Sequence, residues 1–121
     1  MTVILCADDD VHVQYSIWKT LRADGFKVLT AANGAIALKV SRTHPDPIDL
    51  LITCIDIPRM SGLELFEAIR AERPAIKVIA MSRDSRESLQ ASIQGLPFLQ
   101  KPFTATALRE SVKESLSSTI R

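Results

Sequence analysis

Four apolar runs in this sequence each deliver a chemically capable side chain at their carboxyl end. Val3 to Ala7 stops at Asp8, Asp9 and Asp10, and Ile48 to Cys54 ends on a thiol followed by Ile55, Asp56, Ile57 and Pro58. Lys77 to Met81 runs into Ser82, and Pro97 to Gln100 runs into Lys101 and Pro102. Clustered carboxylates repel one another, and burial raises the cost of keeping them ionised. A hard divalent cation relieves that cost, and Mg²⁺ suits one or two carboxylates with a backbone carbonyl and waters. A lysine and a hydroxyl opposite such an ion could hold a phosphoryl group. Together these residue types describe a phosphoryl and Mg²⁺ pocket. Taken singly each has a plainer reading. Aspartates favour a helix start, a serine caps a helix, and Lys-Pro is mostly loop. The signal lies in finding all of them, in order, at the ends of apolar runs.

The elements that must position these residues alternate along the chain. After the strand-like run Val3 to Ala7, the stretch from Val11 to Ala23 places Val13, Ile17 and Leu21 four apart, one face of a helix, and Gly25 ends it. Phe26 to Ala31 reads as a strand. Ala35 to Ser41 reads as a helix capped by Asn33, and the H-P-D-P segment at 44–47 as a turn. Ile48 to Cys54 is nearly all apolar, as in a strand covered on both faces. Ser61 to Glu72 is a helix, Lys77 to Met81 a strand, Glu87 to Gln94 a short helix stopped by Gly95, Pro97 to Gln100 a short strand, and Thr104 to Leu116 the last helix. Five strands alternating with five helices predict β-α-β units, a parallel sheet and right-handed crossovers. In such sheets ligands bind beyond the carboxyl ends of the strands, where the chemistry-bearing residues lie.

Composition narrows the function classes. The 121 residues fit one domain, with 46% hydrophobic and 24% charged residues. No apolar stretch approaches the ~20 residues of a membrane span, and the N-terminus lacks a basic region before its apolar run. The formal net charge of +1, without a basic stripe, is not the footprint of a DNA-binding protein. The two cysteines, Cys6 and Cys54, sit inside apolar runs, which suggests a reducing compartment.

The segments V-I-L-C-A-D-D-D, L-L-I-T-C-I-D-I-P-R-M-S-G-L-E-L, V-I-A-M-S and F-L-Q-K-P-F, in this order and spacing, resemble the receiver domain of response regulators in two-component signalling. The likeness runs from Val3 to about Leu116. It implies an α/β, flavodoxin-like (βα)5 fold: a doubly wound, five-stranded parallel sheet of order 2-1-3-4-5 in a single receiver domain over 1–121. It implies that Asp9 ligates Mg²⁺ directly and Asp8 through water, with the backbone carbonyl of Asp56 as a further ligand. Asp10 is an added acidic neighbour. By the same resemblance Ser82 is the switch hydroxyl that follows the phosphoryl group and Phe98 the aromatic switch position. Lys101 pairs with the phosphoryl oxygens, and the Lys101–Pro102 bond is cis. Pro58 and Gly62 shape the loop after the third strand.

One position departs from the family. Counted back from Pro58 and Gly62, Cys54 falls where the phosphoacceptor aspartate stands. Sulfur is a poor ligand for Mg²⁺, and a thiol beside carboxylates is pushed toward its neutral form. Mg²⁺ binding is therefore expected to be weakened, and aspartyl phosphorylation absent or severely impaired. Natural degeneracy, an engineered replacement, a redox thiol and a shift of the acceptor role to Asp56 all remain open. So does a Cys6–Cys54 disulfide. The shift to Asp56 is disfavoured, because two residues past the strand end its side chain is expected to point differently, although it adds a further carboxylate to the acidic site. The expected role is that of a protein-interaction switch in a phosphorelay, not an enzyme, in the cytoplasm. It would work through the face of the fourth predicted helix, fifth strand and fifth helix, with a homodimer through that face as an option. The implied partners are a histidine kinase or phosphotransfer protein and a downstream protein, with no direct nucleic acid or membrane contact. The link from Ser82 to Lys101 is short, so the helix over 87–94 is expected to be trimmed. The competing readings are a flavodoxin-like cofactor-binding domain and a Mg²⁺-dependent phosphohydrolase.

Overall fold

A computed structural model describes residues 1–57, 60–86, 88–89 and 95–117. The elements are β1 (Val3–Ala7), α1 (Val11–Ala23), β2 (Lys27–Ala31), α2 (Gly34–Thr43), β3 (Leu50–Cys54), α3 (Gly62–Glu72), β4 (Lys77–Ser82), β5 (Phe98–Gln100) and α4 (Ala105–Ser117). The strands form one sheet in the order β2-β1-β3-β4-β5, every neighbouring pair parallel. This is the order that the resemblance implies. The expected helix over 87–94 falls largely outside the described residues. Its onset is visible in Ser85, whose hydroxyl accepts the Ser88 N–H at 3.2 Å.

Helices cover both faces, α1 packing against α4 and α2 against α3. The central strands β1 and β3 are consequently buried at every position, whereas the edge strand β2 buries only Ala31. Ile4, Leu5, Leu51, Ile52 and Ile79 fill the middle of one core, joined by Ile17 and Leu21 from α1 and by Leu65 and Ile69 from α3. Ile17 and Leu21 belong to the four-apart face read from the sequence. No helix among the described residues is long and apolar enough to cross a membrane.

Local chemistry sets the boundaries. Asp10 caps α1 by accepting the His12 and Val13 N–H groups at 2.8 and 3.4 Å. Gly25 follows the end of α1 at φ +93°, where a side chain would be strained. Asn33 caps α2 through the Ile36 N–H, and Ser61 with Glu64 forms a reciprocal capping box on α3. β2 begins one residue later than expected because the Phe26 N–H closes α1 against the Leu21 carbonyl. β3 begins at Leu50, not Ile48. Ahead of it the Asp49 carboxylate accepts the Val3 N–H at 2.8 Å and pins the start of β1. β5 begins at Phe98 because Pro97 has no N–H to give, although its carbonyl still accepts from Ala80.

Candidate functional site

The strand register brings the predicted residues to one edge of the sheet. Ala7 lies opposite Thr53, so the next step along both strands sets Asp8 beside Cys54. Cys54 is paired with Met81, and Ser82 with Gln100, immediately before Lys101. The result is a pocket of about 290 Å³ lined by Asp9, Asp10, Cys54, Asp56, Arg83 and Lys101. A larger cavity of about 540 Å³ lies between Leu21, Phe26 and the side of α4, but its charged pair, Asp24 and Arg109, is already joined at 2.8 Å.

Lys101 is the centre of the arrangement. Its Nζ stands 2.6 Å from Asp8 Oδ2 and donates to Cys54 Sγ at 3.4 Å. Asp8 is 0% exposed and Lys101 7%. Apart from this ion pair Asp8 Oδ2 has no hydrogen-bond partner, while Oδ1 accepts the Asp10 N–H at 2.9 Å. Burial pulls the lysine pKa down, but the hydrogen bond to Asp8, aided by Cys54, outweighs it and the pKa lies above the ordinary value. Burial pushes the Cys54 thiol up, and the Asp8 charge adds to it. The Asp56 backbone N–H and Lys101 oppose the rise without cancelling it. The contact is therefore an ammonium donating to a neutral thiol. The Lys101–Pro102 peptide is cis, as expected.

Ser82 is fully buried at the end of β4. Its hydroxyl donates to Asp56 Oδ2 at 2.9 Å and accepts the Asp84 N–H at 3.0 Å. The side chain of Asp56 thus lines the same pocket as Cys54 and turns to Ser82. Two residues past a strand end the chain has already turned, which period-two alternation does not capture. Phe98 is half-buried against Ile55 and Ala80, with the Arg86 guanidinium 5.6 Å from its ring centre. Asp9 lines the pocket and is exposed, while Asp10 is engaged as the α1 cap. Arg83 also reaches the pocket, 3.8 Å from Asp10 Oδ2. Its position directly after Ser82 was the only sequence signal for it. Cys6 and Cys54 are both free thiols, and Cys6 pairs with Ile52 across the ladder, two residues short of Cys54.

The loop after β3 is held by a close approach. A Cβ on Gly62 would collide with the Cys54 carbonyl oxygen and lie 2.8 Å from Thr53 Oγ1. Only glycine lets α3 start so near the strand end that carries Cys54.

The donor set does not suit a tightly held Mg²⁺ ion. Both oxygens of Asp8 are engaged, the neighbouring group is a soft neutral thiol, and the Asp56 carboxylate is bonded to Ser82. Among the described residues no three His, Cys, Asp or Glu side chains converge to hold a metal ion.

Residues 4–113 match the response regulator receiver domain family. The chain is 35% identical over 118 residues to the transcriptional regulatory protein PrrA of Mycobacterium bovis, covering 93% of this chain and 49% of that protein. It spans about half or less of the length of the curated relatives it first matches. Among solved structures, the receiver domain of the hybrid histidine kinase CckA superposes with a TM-score of 0.80 at 31% identity, covering 95% of this chain and 99% of that one. The chemotaxis response regulator CheY4 of Vibrio cholerae superposes with a TM-score of 0.86 at 26% identity, covering 96% and 99%.

Proposed function

The chain belongs to the response regulator receiver family, and from that premise we propose that it is a phosphorelay receiver whose phosphoacceptor position is held by Cys54, so that it signals without aspartyl phosphate. The observation that carries this reading is the Lys101 ammonium, which touches Asp8 and Cys54 at once. In the receiver reading that lysine faces the acceptor, and here the group it faces is a neutral thiol.

The roles carried by resemblance follow. Ser82 and Phe98 are the switch pair, and Asp8, Asp9 and the Asp56 carbonyl are the remains of a metal site. Receiver domains generally bind Mg²⁺ in this acidic pocket. Here we propose an affinity much reduced, because a carboxylate has been lost and Asp8 is bound to Lys101. The module works as a protein-interaction switch in the cytoplasm, not as a turnover enzyme. Its partners are a histidine kinase or phosphotransfer protein and a downstream protein, and the single domain spans 1–121. A homodimer through the face around β5 and α4 belongs to the same proposal. The residues at the pocket support neither alternative. A flavin- or nucleotide-phosphate site would meet Asp8, Asp9 and Asp10, and a phosphohydrolase would lack its nucleophilic carboxylate.

The test is intact-mass analysis after treatment with acetyl phosphate and Mg²⁺, with the Cys54→Asp variant alongside. The expected outcome is that only the variant gains one phosphoryl group. A phosphoryl group on the unsubstituted chain would overturn the reading of Cys54 as a block and send the search to Asp56 or the thiol.

A further inference from the structure

We propose that Asp56 is a built-in substitute for a phosphoryl group, holding the Ser82 hydroxyl in its engaged position without any covalent modification. This inference rests on the receiver reading, in which Ser82 is the switch hydroxyl.

A hydroxyl has a single proton to give. Ser82, with no exposure, gives it to Asp56 Oδ2 at 2.9 Å, and its oxygen is oriented from the other side by the Asp84 N–H at 3.0 Å. The acceptor is an anionic oxygen, as a phosphoryl oxygen would be, and such charge-assisted bonds are the strong ones. It belongs to the chain itself, two residues beyond Cys54 and on the same pocket wall, so it is present whenever the loop is in place. The second group suited to grip a phosphoryl group is engaged in the same way: the Lys101 ammonium holds Asp8 at 2.6 Å. Both grips are therefore closed on carboxylates of this chain. Ile55, beside Asp56, packs with Ala80 and Phe98, so the setting of Asp56 is in contact with the aromatic switch position.

The hydrogen bond gives a local readout that needs no identified partner. Replacing the exposed Asp56 by alanine releases the Ser82 proton, and the Asp84 amide loses a fixed acceptor. Its hydrogen exchange, followed by NMR, is expected to quicken by roughly three- to tenfold, from the range for bonds to charged groups discounted for exposure. The Phe98 ring resonances are expected to shift, and Ser82→Ala to shift them the same way and make a further Asp56→Ala change silent. Unchanged Asp84 exchange and Phe98 resonances in Asp56→Ala would overturn the proposal. A second arm uses beryllofluoride with Mg²⁺ as a phosphoryl analogue on Cys54→Asp and on Cys54→Asp combined with Asp56→Ala. A small Phe98 response with Asp56 present and a several-fold larger one without it is the expected result. Equal responses in both would sink the substitute role while leaving the receiver reading intact. No bound beryllofluoride signal in either would remove the reading of this pocket as one that takes a phosphoryl group once an aspartate stands at position 54, and this inference with it.

Discussion

The Lys101 ammonium and the Asp8 carboxylate meet at 2.6 Å in a setting almost closed to solvent. A buried pair of this kind is not in itself a large source of stability, because both ions left water to form it. Breaking it is costly, because the survivor is left charged and unpaired. Lys101→Met is expected to destabilise the fold by about 3–5 kcal/mol in urea unfolding, and the double variant with Asp8→Asn by distinctly less. Equal losses in the single and double variants would show that the two residues do not act as a pair.

Gly62 lies against the Cys54 carbonyl with no room for a side chain. Gly62→Ala is expected to cost about 1–3 kcal/mol, as overpacking does, with the added Cβ pressing on the strand end. Chemical shifts should move at Thr53 and Cys54 in particular. A variant as stable as the parent would mean that α3 can back away freely.

Asp10 links the site to acid stability. Its bond from the His12 N–H is the main reason its pKa lies below the ordinary aspartate value; burial opposes it, and the Val13 N–H adds to the lowering. A carboxylate whose folded pKa is lowered stabilises the fold above its unfolded pKa, and that contribution is lost as pH falls through the folded value. Asp10→Ala should therefore lower the urea midpoint at neutral pH, and the gap to the parent should close on acidification below the usual aspartate range. Asp10→Asn, which keeps a neutral acceptor, should show a smaller gap at neutral pH, and that gap too should close on acidification. A gap that stays open in acid would count against the charged cap.

The sequence located much of this site because it lies where strand periodicity stops. Asp8, Cys54, Ser82 and Lys101 were each found as the residue ending or following an apolar run, and a parallel sheet brings such ends together. Asp10 divided as its two readings allowed, and the helix cap prevailed. The Asp56–Ser82 bond was not legible, since it depends on how the chain turns after β3 and spans 26 residues. Nor was the grip of Lys101 on Asp8. Resemblance assigned that lysine to an incoming group, and with no such charge at position 54 it takes the nearest anion. The late start of β3 was hidden for a similar reason. Ile48 is buried like a strand residue, but Asp49 turns its carboxylate to the β1 backbone instead of continuing the apolar run.

Arg73, just past the end of α3, reaches back to α2. Its guanidinium donates to the Ser41 hydroxyl and to the carbonyls of Ser41, His44 and Asp46, while Arg42 of α2 meets Glu72 of α3 at 2.8 Å. In terms of local opening, the two helices on this face form one cooperative unit, tied at the end of the molecule farthest from the pocket. If the carboxyl end of α3 frays, the carbonyls of Ser41, His44 and Asp46 lose the Arg73 donor, and if that of α2 frays, Glu72 loses Arg42. On the opposite face, among the described residues, the Arg109–Asp24 pair joins α4 to the end of α1. Slow hydrogen exchange is therefore expected to extend to the carboxyl ends of α2 and α3, where helices ordinarily fray.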